Sequence, residues 1–258
     1  TSNEGTWAES TGTLTLTVAS GGLSAGTTCT VSFEVQKGNS AQGNARTVVI
    51  SGTVEVGTHD SAIGDHTLTS DTGDLMGVTG GAGPLLLAVG TFVDKDIGQS
   101  FPFVDGSNTI TVSITGSVDI AAGSNITITG LTGTQTVDGT LTVTSSPADV
   151  FTSNEGTWAE STGTLTLTVD TGGLSAGTTC TVSFEVQNGG SEQNAVVGVV
   201  SGTIEVGGFD SPISDHNLEA DTTAVLYGVT GGESPLKLVE VAFDVASSIG
   251  QSVPLVSA

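Results

Sequence analysis

The sequence is poor in positive charge and in charged residues overall. It has four Lys and Arg against 27 Asp and Glu, which gives a net charge of −23. A nucleic-acid-binding protein needs a basic surface to neutralise phosphates, and an anionic membrane surface repels a protein of this charge. The sequence therefore predicts no nucleic acid partner and no attachment to anionic lipid, whereas an acidic surface attracts cations such as Ca²⁺.

Long apolar runs and helical patterns are also missing. The longest apolar stretch, Pro84–Val89, has the length of a strand, while a membrane helix needs about 18 or more apolar residues. We find no signal peptide at the start, and this fits a mature or excised extracellular segment. The sequence is instead rich in Gly (38 residues), Thr and Ser, as is typical of β-strands joined by short turns.

A long stretch of the sequence occurs twice. Thr1–Gln36 and Thr152–Gln187 are identical at 34 of 36 positions. The correspondence continues through SGTVEVG and SGTIEVG, two GVTGG motifs and two IGQS motifs, so the period is about 151 residues. Residues 105–151, which we call the single block, occur once; residues before them are the first copy and residues after them the second copy. We interpret the chain as a window on a longer tandem array.

Apolar residues alternate with Thr and Ser in both copies and in the single block, as in Thr13–Val18, Cys29–Val35 and Thr109–Thr115. This period of two, with turns every 8–12 residues, is typical of β-sandwiches. We predict an all-β protein made of tandem antiparallel β-sandwich (Ig-like) repeats of about 151 residues. The first repeat (1–104) is expected to be incomplete and to lack its opening strands, and the second (105–258) to be complete.

The expected core of each sandwich lies on the alternating strands. Its members in the first copy are Leu14, Leu16, Val18, Val31 and Phe33, with their equivalents in the second copy. Because the first repeat lacks strands, its apolar face needs a cover, which either a preceding unit or a neighbouring molecule could supply by strand addition.

The run NTITVSIT…GSNITITGLTGTQT…GTWAESTGTLTLTV…GLSAGTTCTVSFEV, followed by GVTGG and IGQS, resembles the tandem Ser/Thr/Gly-rich repeats of very long surface proteins of algae and other protists. The resemblance covers nearly the whole chain. It implies an extracellular fibrous or adhesive role and supplies no catalytic residues. Where those repeats have Tyr in the TVSF strand, this chain has Cys29 and Cys180.

Acidic residues recur at equivalent positions of the two copies and form the candidate metal site. Carboxylate oxygens are the ligands that Ca²⁺ prefers, although the spacing matches no known calcium loop. The alternative is that these residues are solvated and cap turns. The candidate ligands are Asp60, Asp65, Asp71, Asp210, Asp215 and Asp221. No cofactor other than Ca²⁺ is predicted.

Each Trp and each Cys also has two interpretations. Trp7 and Trp158 could stack on sugar rings or anchor a core, and the scarcity of other aromatic residues favours the core. Cys29 and Cys180 lie on the apolar side of equivalent strands; a small buried hydrophobe is favoured over an intermolecular disulfide.

Two further motifs have a possible chemical role. His66 and His216 follow aspartates, but no nucleophile motif accompanies them, so a catalytic triad is not predicted. Asn125-Ile-Thr127 is the one N-glycosylation sequon in the sequence, and Asn125 is the candidate acceptor in a secreted protein.

These observations predict a structural protein with no enzymatic activity. We expect an extracellular filament, cell-surface hair or matrix fibre, built by end-to-end stacking or strand complementation of β-sandwich units, with copies of itself as partners. The alternative is a Ca²⁺-dependent adhesin or a glycan-binding surface module, for which glycans would be the partners.

Overall fold

The computed structural model describes residues 4–207 and 209–242. The described residues are all-β; their helical content is a single 3₁₀ turn at Glu160–Thr162, and among them is no helix that could span a membrane. The strands are β1 (Thr6–Ala8), β2 (Thr13–Thr15), β3 (Val49–Val56), β4 (His59–Thr67), β5 (Phe92–Gln99), β6 (Ser107–Gly116), β7 (Asn125–Thr129), β8 (Gly139–Ser146), β9 (Phe151–Ala159), β10 (Thr164–Val169), β11 (Thr179–Gln187), β12 (Val199–Val206), β13 (Phe209–Asn217), β14 (Glu219–Ala220), β15 (Val225–Leu226) and β16 (Val229–Thr230).

The chain divides into two compact units, residues 1–38 and residues 39–258. The smaller unit contains the hairpin β1–β2, in which Trp7 pairs with Leu14. The ring of Trp7 lies 6.3 Å from that of Phe33. Residues 16–38 form no regular strand, although their sequence alternates like that of the hairpin.

The larger unit is organised around a ten-stranded sheet in the order β13-β12-β7-β10-β9-β8-β11-β6-β5-β14. Its pairs are antiparallel except for the short parallel pair of β14 with β5. The sheet is therefore mixed, whereas the sequence predicted a purely antiparallel one. The strand at one end of the sheet, β13, approaches β5, which is next to the strand at the other end. The ring of His216 in β13 meets that of Phe92 in β5 edge-on, with 6.1 Å between the ring centroids. The sheet is therefore nearly closed, with a shape between a barrel and a sandwich.

The interior of this sheet follows the alternation in the sequence. In β6, Ile110, Val112 and Ile114 are buried, and in β11 Cys180 and Val182 are buried. The Thr and Ser side chains between them lie on the other face of the strands and pair across them at 2.9 Å, as in Thr111–Ser183 and Ser113–Thr181. The contact Thr115–Thr179, also at 2.9 Å, continues this row, but Thr115 is itself buried. Burying one face of each strand fixes the register, because a slip by one residue would expose every apolar side chain.

The first copy also supplies a hairpin, β3–β4, in the larger unit. Its register matches that of β12–β13: Ile50 pairs with His66 as Val200 pairs with His216, and both hairpins have an irregularity directly after this pair. However, β12 also pairs with β7, whereas β3 has no second neighbour among the described strands. All eight residues of β3 are exposed as a result.

Candidate functional site: the junction between the two copies

The last strand of the first copy, β5, belongs to the sheet of the second. It pairs with β6 from Phe92 opposite Gly116 to Gln99 opposite Ile110. Phe92 and Ile97 of β5 are buried in the same core as the strands of the second copy. The two residues are five positions apart, and both lie on the inner face because the register shifts between Phe92 and Asp94. The strand therefore contributes hydrogen bonds and core packing together.

A buried network of three side-chain amides holds this junction. The Asn108 amide nitrogen donates to the side-chain oxygens of Gln99 and Asn188, both at 2.9 Å. Asn188 donates in turn to the carbonyls of Phe101 and Phe103 at 2.9 and 2.8 Å. The network thus joins the first copy, the single block and the second copy, one amide from each.

The same network reaches the loop of the second GVTGG motif. Gln99 donates to the carbonyls of Gly232 and Lys237 at 2.8 and 3.0 Å and accepts from the Leu236 backbone at 2.8 Å. Asn108 accepts from the backbone N–H groups at positions 100 and 101. Each buried amide therefore has partners for both its oxygen and its nitrogen, which removes the cost of burying it and makes the arrangement specific.

The first GVTGG loop makes a second contact between the copies. The backbone N–H of Asp119, in the single block, donates to the carbonyl of Met76 at 2.9 Å. At Gly77 the approach is so close that an added Cβ would lie 2.4 Å from the Cβ of Ala176. Met76 and Val78 pack against the buried core of the larger unit.

The most distinctive surface of the smaller unit is apolar. Trp7 is 44% exposed and Phe33 57% exposed, while their equivalents Trp158 and Phe184 are 1% and 2% exposed. Further exposed residues of this kind are Leu16, Val18, Val31 and Val35. The predicted core is therefore confirmed in the second copy, and the expectation that these residues are buried is wrong for the first.

The strands that bury this face in the second copy come from the single block. There β6 and β8 flank β11, β8 also pairs with β9, and β7 pairs with β10. The first copy has the same sequence for β9, β10 and β11 but no second single block among the described residues. We give the name open face to the exposed apolar residues of the smaller unit whose equivalents in the second copy are buried: Trp7, Leu16, Val18, Val31, Phe33 and Val35.

The six candidate calcium ligands do not converge. Asp60 and Asp65 lie on β4, and Asp210 and Asp215 on β13. Nowhere within residues 4–207 and 209–242 do three or more His, Cys, Asp or Glu side chains form a group that could hold a metal ion. Calcium binding stays a prediction without a formed site to support it.

The remaining two candidates, Asp71 and Asp221, cap turns. Asp71 accepts from the backbone N–H of Gly73 at 2.8 Å. Asp221 accepts from the Thr223 hydroxyl and backbone and from the Ala224 backbone at 2.7–2.9 Å. These hydrogen bonds, the Thr223 hydroxyl first, hold the pKa of the Asp221 carboxyl below its ordinary value. This is the geometry of the turn-capping alternative.

The two cysteines, both free, are in opposite environments. Cys29 is exposed, and Cys180 is fully buried in the core. Burial raises the pKa of the Cys180 thiol to about 11, because the thiolate would lose its hydration there.

Trp158 is also buried, and its indole N–H donates to the Thr136 carbonyl at 2.9 Å, so in the second copy the Trp is a core anchor.

The histidines and the sequon are part of strands. His66 and His216 occupy equivalent positions opposite Ile50 and Val200. Asn125 begins β7 with an exposed side chain that accepts a hydrogen bond from Thr168 at 3.0 Å. Glycosylation of Asn125 stays a prediction.

Sequence reasoning missed the residues that make the junction: Gln99, Asn108 and Asn188. One signal was available, because the IGQS motif that contains Gln99 recurs near residue 249 within an otherwise apolar alternation. A polar side chain at an inward position of a strand requires a partner. The second IGQS motif lies outside the described residues.

The sequence matches no protein-family model and no curated protein. Among solved structures, the fold is distantly similar to a collagen-binding domain from a Staphylococcus aureus adhesin, at 10% identity and with a TM-score of 0.28. The similar region covers 48% of this chain and 96% of that domain. At this level the likeness concerns the all-β architecture and carries no argument about ligands.

Proposed function

We propose that this protein is a structural element of the cell surface or extracellular matrix, in which β-sandwich units are joined in series into a filament or stalk. The observation that carries the proposal is the pairing of β5 with β6. A strand at the end of one copy is an integral strand of the next unit, so consecutive copies interlock rather than hang on a flexible linker.

The physical consequence of interlocking is stiffness. Separating β5 from β6 would break the ladder between them, expose Phe92 and Ile97, and leave the amide of Asn108 without Gln99. Unpaired buried amides and exposed apolar side chains are both unfavourable. Successive units joined in this way would keep a fixed orientation, which suits a filament.

Extracellular location and repetition every 151 residues are part of the same proposal. The net charge of −23 favours a hydrated, soluble surface. The resemblance to long Ser/Thr/Gly-rich surface proteins is consistent with this role.

Electron microscopy of the native material, imaged directly from its source, tests the proposal. We expect thin fibres whose axial repeat corresponds to one 151-residue unit. Discrete particles without an axial repeat would contradict it and would favour the adhesin alternative. In that case binding assays with glycans and with Ca²⁺, monitored by calorimetry, would be the next measurement.

A variant pair tests the observation on which the proposal rests. Ile97→Asp places a charge in the core beside β6, whereas Val93→Asp changes an exposed residue of the same strand. In filaments assembled from recombinant protein, Ile97→Asp should lower the bending stiffness or abolish the axial order, and Val93→Asp should not. Equal behaviour of the two variants would argue against interlocking through β5.

A further inference from the structure

The open face of the first copy has a buried equivalent elsewhere in the molecule, where almost the same sequence is covered by the single block. Trp158, Val182 and Phe184 are buried by the single block, and Trp7, Val31 and Phe33 are the same residues of an almost identical sequence. We propose that the open face is a docking site for a further segment of the single-block type, three alternating strands patterned as β6, β7 and β8. This extends the proposed function and rests on it only in assuming that strand exchange joins the units.

The stoichiometry favours an additional segment over an exchange between two molecules of this chain. The chain contains two copies that can accept such a segment and one single block that can supply it. If a second molecule lent its single block to the open face, its own second copy would lose its core. Every such exchange would bury one copy and expose another, so we take the occupant to be a single-block segment that is not already paired with a second copy.

The smaller unit already has the local geometry that docking requires. The register of β1–β2 equals that of β9–β10, with Trp7 opposite Leu14 as Trp158 is opposite Leu165. The Trp7–Phe33 ring distance of 6.3 Å is close to the 6.4 Å between Trp158 and Phe184. Residues 16–18 and 29–35 lack strand structure, and in the second copy their equivalents form the end of β10 beside β7 and β11 between β6 and β8. Docking therefore requires residues 29–35 to pair on both sides and the hairpin β1–β2 to pair as β9 and β10 do with β8 and β7.

One residue at this site differs between the two copies. Lys37 stands where the second copy has Asn188, the member of the buried amide network. Docking of a segment with Asn at the position of Asn108 would bring the Lys37 ammonium into this network. The structure therefore assigns Lys37 as the residue that weakens docking of the single block as it is written in this chain, since burying an unpaired charge is costly.

The two cysteines provide the readout. The experiment uses the full chain and a synthetic peptide with the sequence of residues 105–151, and follows the reaction of each thiol with a thiol reagent at pH 8. In the free chain, exposed Cys29 should react fast and buried Cys180 slowly. With saturating peptide, we expect Cys29 to react at least about tenfold more slowly, because reaction then requires local opening, while the Cys180 rate stays unchanged.

Matched peptides and a chain variant make the result specific. A peptide with Val112→Asp, which changes an inward residue of β6, should give no protection, whereas one with Thr111→Asp, which changes an outward residue, should protect. Lys37→Asn in the chain should lower the peptide concentration needed for protection. A chain extended at its N-terminus by the sequence of residues 105–151 should protect Cys29 without added peptide.

The proposal is overturned if neither the peptide nor the N-terminal extension slows the reaction of Cys29, or if the Val112→Asp and Thr111→Asp peptides protect equally. Protection by the extension but not by the peptide would support the docking site and show that it needs a covalently attached partner. Failure of this experiment leaves the filament proposal to the electron microscopy, and discrete particles in the microscope would leave the docking site standing.

Discussion

The two copies of the repeat place nearly the same sequence in two different surroundings. Thr1–Gln36 and Thr152–Gln187 differ at two positions, yet the second forms the buried strands β9, β10 and β11 and the first forms a short exposed hairpin. Since the side chains are the same, the difference comes from the strands β6, β7 and β8 that lie beside the second copy. Strand formation here depends on neighbours far away in the sequence.

Features made by nearby residues are the same in both copies. The N–H of Gly12 donates to the carbonyl of Glu9 at 3.2 Å, and that of Gly163 donates to the carbonyl of Glu160 at 3.0 Å. The hairpins β3–β4 and β12–β13 share one register, and β1–β2 shares that of β9–β10. Local contacts therefore specify the turns and the hairpin registers, whereas the burial of the strands requires neighbouring strands in a sheet.

The largest expected difference between the copies is at their tryptophans. Trp158→Ala should destabilise the protein by about 3–5 kcal/mol, because it leaves a cavity in the core and removes the donor to Thr136. Trp7→Ala should change the free energy of unfolding by less than about 0.5 kcal/mol, as is usual for exposed positions. Urea unfolding followed by circular dichroism measures both; equal shifts of the two midpoints would mean that Trp7 is buried in solution.

A second matched pair concerns glycines with positive φ. A Cβ at Gly163 (φ +56°) would lie 2.1 Å from the carbonyl carbon of Leu131, whereas Gly12 (φ +63°) has nothing within 4 Å. Gly163→Ala should therefore cost about 3 kcal/mol, from the steric overlap and the left-handed backbone together. Gly12→Ala has only the backbone cost of about 1–2 kcal/mol, confined to its hairpin.

Chemical denaturation of both variants measures this difference. The midpoint of the main transition should fall for Gly163→Ala and stay in place for Gly12→Ala. A main transition equally sensitive to both substitutions would show that the hairpin β1–β2 unfolds together with the ten-stranded sheet.

The buried cysteine of the second copy is expected to make the stability of the protein depend on pH. The Cys180 thiol has an ordinary pKa of 9.0 when unfolded and about 11 in the folded protein. Between these values the unfolded chain has lost a proton that the folded chain keeps, so rising pH favours unfolding. Stability should be unaffected by this group below about pH 9 and fall by about 2–3 kcal/mol as the pH approaches 11.

Unfolding measurements at pH 8, 9, 10 and 11 test this dependence with a built-in control. Cys180→Ala should reduce the slope of stability against pH in this range, whatever its effect on stability at pH 8. Cys29→Ala should leave the slope unchanged. If both variants keep the slope of the original protein, another group is responsible for it.

The smallest expected effect concerns an ion pair that exists only because β5 lies beside β14. Lys95 Nζ is 2.9 Å from Glu219 Oε1, and the Glu219 side chain is 71% exposed. Such exposed pairs contribute about 0–1 kcal/mol and weaken as salt is added. A double-mutant cycle with Lys95→Ala and Glu219→Ala should give a coupling energy in this range at low salt; a much larger value would indicate that the pair is desolvated.

Part of the fold could be predicted from the sequence because it depends on local pattern. The alternation in Thr109–Thr115 and in the second copy correctly indicated which apolar side chains are buried, and the all-β class followed from it. The junction could not be predicted in the same way. Nothing in the order of residues says that Gln99 faces Asn108 and Asn188, because that contact depends on three strands meeting at one end of a sheet.

The sequence by itself determined the repeat, which is read directly from the order of residues. It also determined the strand periodicity, the inner and outer faces of most strands, and the registers of the hairpins, since these depend on residues close together in the chain. Only the tertiary structure decided which copy of the repeated sequence is buried. The single block leads directly into the second copy through the short connection of residues 147–150, so β8 and β9 pair with little loss of chain entropy. A block with three strands can bury one apolar face, and of the two repeated stretches the one that directly follows the block, Thr152–Gln187, is the one that is buried.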